Sequence, residues 1–202
     1  MELGAGHAQR RYARTVAEPS RRPATYDELC SLAPNLVGQI VFGVLHAHPR
    51  PAPKLARATS SLGEELGPPF NRGRGGPGGW IILDEPELHL DSHVVVPDLA
   101  GWRRERMPQM PVDEAFFTLA PDWVCEVLSP RTAPLDRGDK RKVYAEFDVK
   151  HLWYVDPEAQ TLEVLVLESN GYRIVDVFSG NTNIRAIPFD AIELELGALW
   201  AR

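Results

Sequence analysis

Long apolar runs are missing: nowhere in the 202 residues do about 18 consecutive apolar side chains occur, which excludes a membrane-spanning helix. Cysteine is scarce as well. Cys30 and Cys125 form no CxxC pair, so neither a disulfide framework nor a structural zinc site is indicated, and Cys125, inside an apolar run, reads as core. An excess of basic charge is also lacking. With 22 Lys and Arg against 28 Asp and Glu, the net charge of -6 excludes a protein that coats nucleic acid by neutralising phosphates. It leaves room for an enzyme that meets a phosphodiester briefly. The residues up to Pro23 carry no apolar core of a secretory signal and are spotted with Arg10, Arg11, Arg14, Arg21 and Arg22, so the expected location is cytoplasmic.

What is present is a composition 44% hydrophobic and 25% charged, enough apolar material to build one packed domain in this length. The expected organisation is a disordered tail over 1–22 and a single domain over 23–202. Thr25 followed by Glu28 reads as a capping box opening a short helix. Residues 39–45 read as a strand broken by Gly43, and Leu55, Ala58, Leu62 and Leu66 carry the spacing of a helix. The stretch 67–79, rich in Gly, Pro and Arg, is expected to be a mobile loop; it lacks the GxxxxGK[ST] order that cradles a phosphate. Strands are expected over 80–83, 87–90, 93–98 and 122–128, a helix over 135–147, a strand over 151–156, and a hairpin of 161–168 with 172–178 turning at Asn170-Gly171. This order predicts an α/β fold of the mixed α+β kind, a mixed sheet with flanking helices and extra hairpins.

Three places carry chemistry. Asp98 follows Val94, Val95, Val96 and Pro97, and because proline cannot donate to a ladder, the carboxylate is expected at a strand end near the core. Glu126 alternates with Val124 and Leu128 on one face of a strand whose other face carries Trp123, Cys125 and Val127; with both faces apolar, the carboxylate must be paired, hydrogen-bonded or metal-bound. On the helix, Lys140, Val143, Tyr144 and Phe147 form one stripe, so Lys140 faces the core while Arg141 and Lys142 face solvent, and Asp136, one turn earlier, is placed to hold the ammonium. Two carboxylates on neighbouring strands offer hard oxygen ligands for Mg2+, and a nearby ammonium stabilises negative charge developing on a phosphate. Elsewhere, Glu85, Glu87, His89, Asp91 and His93 crowd a hairpin, but His89 and His93 lie too far apart along a strand for one zinc ion. His46 and His48 read as surface residues.

Pro97-Asp98, Glu126-Val127-Leu128-Ser129-Pro130, Asp136 with Lys140 and Tyr144 at four-residue steps, and the run 151–157 resemble, in order and spacing, the Uma2 family of restriction-endonuclease-like proteins. The resemblance spans about 25–199 and implies the PD-(D/E)xK nuclease fold. It would make Asp98 the aspartate and Glu126 the acidic residue of the second half-motif, with the Val127 carbonyl as a further metal ligand. Leu128 stands where the plain motif has lysine, so the resemblance moves that lysine to the helix as Lys140, the residue the stripe selects separately. It departs at the N-terminal side: members carry Glu-Leu-Ile-Asp-Gly-Glu and then a histidine, where this chain has Gln39 to Val44 without a carboxylate and Lys54 near the histidine's place.

The expectation is an endonuclease dependent on Mg2+ or Mn2+ that acts on DNA through Asp98, Glu126 and Lys140, with Asp136 and Tyr144 in support, working as a homodimer joined at exposed hairpin edges. The alternative is a nuclease fold that lost its chemistry and serves as a scaffold binding nucleic acid or protein. A two-carboxylate glycosidase is disfavoured by the core-facing lysine and by the lack of an aromatic platform near Glu126.

Overall fold

The computed structural model describes residues 22–200. The expected tail thus lies outside the described residues except for Arg22, whose guanidinium pairs with Glu28 at 2.7 Å. Helix α1 (Tyr26–Cys30) begins as its sequence predicts: Thr25 Oγ1 accepts the Glu28 N–H at 3.3 Å, and the Glu28 carboxylate accepts the Thr25 N–H at 2.9 Å.

The strand expected over 39–45 is instead a hairpin, β1 (Leu36–Val41) and β2 (Val44–Pro49). Gly43 is part of the turn rather than a defect within one strand. Phe42 and Gly43 both take positive φ, 48° and 72°, the handedness a two-residue hairpin turn requires. Helix α2 (Pro53–Leu66) starts with a proline whose missing N–H costs nothing in the first turn, and buries Ala58, Leu62 and Leu66.

The expected mobile loop after it is only partly irregular. Gly67–Asn71 continues the helix as a π-helical turn, and Phe70 is buried against Phe189 with ring centroids 4.7 Å apart. A Cβ on Gly76 would come within 2.4 Å of the Pro69 Cβ, so that glycine is there for close packing. The composition rule failed because one aromatic anchor outweighs the local cost of the prolines and glycines.

The remaining strands are β3 (Trp80–Asp84), β4 (Leu88–Leu90), β5 (His93–Val95), β6 (Leu99–Arg103), β7 (Trp123–Val127), β8 (His151–Asp156), β9 (Thr161–Glu168), β10 (Gly171–Ser179), β11 (Asn183–Ile184) and β12 (Leu194–Glu195). Between β7 and β8 runs one helical segment: α3 (Ala133–Leu135), a π-helical turn at Asp136–Lys140, and α4 (Arg141–Glu146). The short helix α5 (Gly197–Trp200) closes the described chain.

Six strands form one sheet in the order β10-β9-β8-β7-β6-β3, in which β7 and β8 are parallel and all other neighbours antiparallel. Four strands form a second, in the order β2-β1-β5-β4. On one face of the large sheet, α2, Phe70, Phe189 and the segment ending in α5 cover Trp80, Trp123 and Trp153. On the other, Val143 and Tyr144 from α4 and Val41, Leu88, Leu90 and Val95 from the small sheet cover Val124, Leu152 and Tyr154. Each core is stabilised by apolar area withdrawn from water. Among the described residues no helix is long and apolar enough to cross a membrane.

Candidate active site

Asp98 sits in the link that carries the chain from β5 in the small sheet to β6 in the large one. The sequence predicts one strand through 93–98; the ladder stops at Val95 because Pro97 has no N–H to offer, and a further strand begins at Leu99. The carboxylate is pinned by its Oδ2, which accepts the Val127 N–H at 2.7 Å. This bond ties the link to the residue following Glu126.

Glu126 lies near the end of β7, every residue of which is buried. The expected alternation holds: Glu126 shares the face of Val124 and Leu128, toward the helical segment, while Trp123, Cys125 and Val127 enter the opposite core. Its Oε1 accepts from Tyr144 Oη at 2.6 Å and lies 2.7 Å from Lys140 Nζ. Lys140 is only 1% exposed, and a buried ammonium needs charged or polar partners around it. Glu126 Oε1 at 2.7 Å and Asp136 Oδ1 at 3.2 Å pair with it as ions, and Nζ donates a hydrogen bond to the Val96 carbonyl at 3.3 Å. Tyr154 in turn donates to the backbone carbonyl of Asp136 at 3.0 Å, anchoring the π-helical turn to β8.

Burial pushes the Glu126 carboxyl up to about 8; Lys140 opposes the shift, and the neighbouring Asp136 and Asp98 add to it. Asp98 is raised to about 6 by burial, partly offset by the Val127 N–H and by Lys140. Burial alone would lower Lys140, but Glu126 and Asp136 more than reverse this and hold it above the usual lysine range. The floor therefore holds three carboxyl groups against one permanent cation.

The segment where the sequence departs from the resembled family contributes to the same place. Gln39 is 2% exposed, and its Oε1 accepts the Val96 N–H at 2.9 Å. That contact directs its amide nitrogen at His48 Nε2, 3.3 Å away, and His48 Nδ1 then donates to the Pro49 carbonyl at 3.1 Å. The backbone of Val96 is thereby gripped on its N–H by Gln39 and on its carbonyl by Lys140. His48, expected on the surface, is half-buried beside the site; its position two residues from the cross-strand partner of Gln39 emerges only from the hairpin register. Arg141 also differs from expectation, being half-buried and donating to the Tyr172 carbonyl at 2.7 Å, whereas Lys142 is exposed as foreseen.

These groups surround a cavity of about 340 Å³ whose lining includes Gln39, Asp98, Glu126, Asp136 and Lys140. The hydrogen bonds to these two carboxylates use Oδ2 of Asp98 and Oε1 of Glu126, and the second oxygen of each accepts none from the described residues. Of the crowded hairpin only Glu85 reaches this cavity; Glu87, His89, Asp91 and His93 are not in its lining. There Glu87 Oε1 takes hydrogen bonds from Tyr26 and His89, each at 2.7 Å, His89 stacks on Phe116 at 3.8 Å, and His93 accepts the Phe42 N–H at 3.2 Å. These contacts tie α1 and the β1–β2 turn to the small sheet.

Among the described residues no group of three or more His, Cys, Asp or Glu side chains is arranged to hold a metal ion. A protein-only cage of the zinc kind is not present there. Asp98 and Glu126, two carboxylates lining one cavity, are the residues that could hold Mg2+, which binds through one or two carboxylates and keeps several waters.

Comparison with known proteins covers most of the chain. The model of the Uma2 family, described as “Putative restriction endonuclease”, matches residues 23–197. A solved structure described as a “putative nuclease belonging to DUF820” from Anabaena variabilis ATCC 29413 superposes with a TM-score of 0.67 at 21% identity, covering 89% of this chain and 98% of that one. At that identity the likeness establishes the fold. No curated protein matches.

Proposed function

Since this chain belongs to the Uma2 family, we propose that it is an endonuclease dependent on Mg2+ or Mn2+ that hydrolyses DNA phosphodiester bonds on the cavity floor. The supporting observation is the arrangement of Asp98, Glu126 and Lys140: a buried ammonium, held by two carboxylates, beside a third carboxylate with an oxygen free for a ligand.

In hydrolysis, a water oxygen bonds to phosphorus, the bond from phosphorus to the leaving sugar oxygen breaks, the water loses a proton and the leaving oxygen gains one. Asp98 and Glu126 would hold the divalent ion, with the Val127 carbonyl as a further donor. When bound, that ion supplies neutralisation of phosphate charge and a more acidic water. Lys140, kept charged by its neighbours, acts as a donor to the phosphoryl oxygens rather than as a base. Its weakest contact, to the Val96 carbonyl at 3.3 Å, is the one it exchanges for substrate. Tyr144 fixes the Glu126 carboxylate and Asp136 fixes the ammonium. Exposed Ile174 and Val177 on β10, the edge strand of the large sheet, support a homodimer joined along that edge.

The test is cleavage of DNA with Mg2+ or Mn2+ by wild type, Asp98→Asn and Lys140→Gln, each checked for folding by circular dichroism and for Mn2+ uptake by calorimetry. Uptake of Mn2+ should strengthen as pH rises through 6 to 8 and Asp98 and Glu126 give up their protons, and each variant should lose about 10²-fold or more of the cleavage rate. Equal activity in folded variants would overturn the assignment. The scaffold reading is favoured by Gln39, a neutral side chain where the family has a carboxylate. It would be supported by the absence of Mn2+ uptake in the wild type.

A further inference from the structure

We propose that the strand cut here is single-stranded, or freed from its duplex at an end or flap, and that it enters past Arg131. The inference rests on the nuclease reading above and concerns the form of the substrate. The reacting groups are sunk: Glu126 and Lys140 are each 1% exposed and Asp136 is 3% exposed. They are reached through a cavity of about 340 Å³. Its lining comes from both sides, Val37 and Pro49 from the β1–β2 hairpin and Leu55 from α2 on one, Pro130 and Arg131 from the turn after β7 on the other.

A duplex is stiff over about 150 base pairs and carries its phosphates on the outside of a wide cylinder. It cannot push one phosphate to the bottom of so small a cavity while remaining paired. A nucleotide must leave the stack, which costs a few kcal/mol in a duplex and least where the strand is already unpaired.

Charge divides the cavity in the same sense. Three carboxyl groups lie at the floor, while the rest of the lining carries two arginines, Arg50 and Arg131, against one carboxylate, Glu85. Arg50 is only loosely engaged, 3.5 Å from Glu85, and Arg131 is exposed. A strand running in would place a flanking phosphate on Arg131 as the scissile phosphate meets the floor. Val37, Pro49, Leu55 and Pro130 give an unstacked base an apolar surface to pack on, beside the polar Ser129 and Thr132. The net charge of -6 fits a contact of this kind, made at one or two phosphates rather than over a broad surface.

The experiment compares wild type on four labelled DNAs of one sequence, a single strand, a blunt duplex, and duplexes with a 5′ or a 3′ flap, by cleavage with Mn2+ and by binding anisotropy without it. The single strand or a flap should be cut and bound about 100-fold better than the blunt duplex, the factor that an unstacking cost of a few kcal/mol corresponds to. Arg131→Gln should weaken single-strand binding severalfold and reduce the salt slope by about 1, with melting temperature unchanged. Equal handling of single strand and duplex overturns the inference even if both are cut. Preferential single-strand binding with no cleavage of any DNA supports it while overturning the nuclease reading. An unaltered salt slope in Arg131→Gln removes Arg131 from the path.

Discussion

Glutamine at position 39 does at residue scale what a carboxylate could do only at greater electrostatic cost. It keeps the one acceptor oxygen that the Val96 N–H requires, and it spares a fourth negative charge on a floor that already balances three carboxyl groups against Lys140. Asp98 shows the cost of the arrangement. Its folded-state pKa, about 6, lies above the ordinary aspartate range because of burial. A raised carboxylate contributes stability that is fully present below its unfolded value and is lost as pH rises through the folded one. Asp98→Asn removes that loss and can still accept the Val127 N–H. The variant should therefore melt higher than wild type at pH 8, by the equivalent of about 1–2 kcal/mol, and gain nothing near pH 4. Thermal melts at the two pH values check this; an equal gain at both would show that charge is not the cause.

At the scale of the element, the π-helical turn Asp136–Lys140 decides the site. The four-residue helical step already puts Asp136, Lys140 and Tyr144 on one side, and the π-helical turn spans the first of these steps, where Asp136 comes to 3.2 Å from Lys140 Nζ. Gly138 lies at its middle without a positive φ, and a Cβ there would meet nothing within 4 Å. Gly138→Ala should accordingly stabilise the protein by roughly 0.5–1 kcal/mol through the unfolded chain, with cleavage unchanged. Deleting Gly138 should instead abolish cleavage in a chain that still folds, because the four-residue step between Asp136 and Lys140 becomes three and the segment before it is displaced relative to α4 and Glu126. Denaturant midpoints and cleavage rates of the two variants, measured together, test the turn as the positioning device; an active deletion variant would exclude it.

On the scale of the whole molecule, the site is a junction. Gln39 comes from the small sheet, Asp98 from the link between the sheets, Glu126 from the large sheet and Lys140 from the helical segment. The two sheets share one hydrophobic core, in which Val41, Leu88 and Val95 pack with Val124, Tyr144 and Tyr154. The small sheet has no core apart from this shared one, whereas the large sheet also has the core under α2, so we expect the small sheet to unfold together with the large one. Scanning calorimetry should give a single transition with calorimetric and van't Hoff enthalpies equal. Two resolved transitions would mean that the sheets are separate units and that the site joins domains.

The sequence by itself determined whatever depends on local period and local chemistry. Alternation along residues 122–128 is enough to bury Glu126 on the Val124 face, the stripe of Lys140, Val143 and Tyr144 turns the lysine inward, and Thr25 with Glu28 starts α1. A buried carboxylate and a buried ammonium each demand a partner, so even their pairing was foreseeable. Tertiary structure alone decided the contacts between segments far apart in the chain. The grip of Gln39 and Lys140 on Val96 and the Val127 N–H on Asp98 depend on how two sheets meet, and the aim of the Gln39 amide at His48 depends on a hairpin register. The anchoring of Phe70 on Phe189, which orders residues expected to be mobile, is likewise a packing event between distant segments. Hydrogen bonds and packing of this kind have no period in the sequence, because their geometry is set by the three-dimensional path of the chain and not by its neighbours along it.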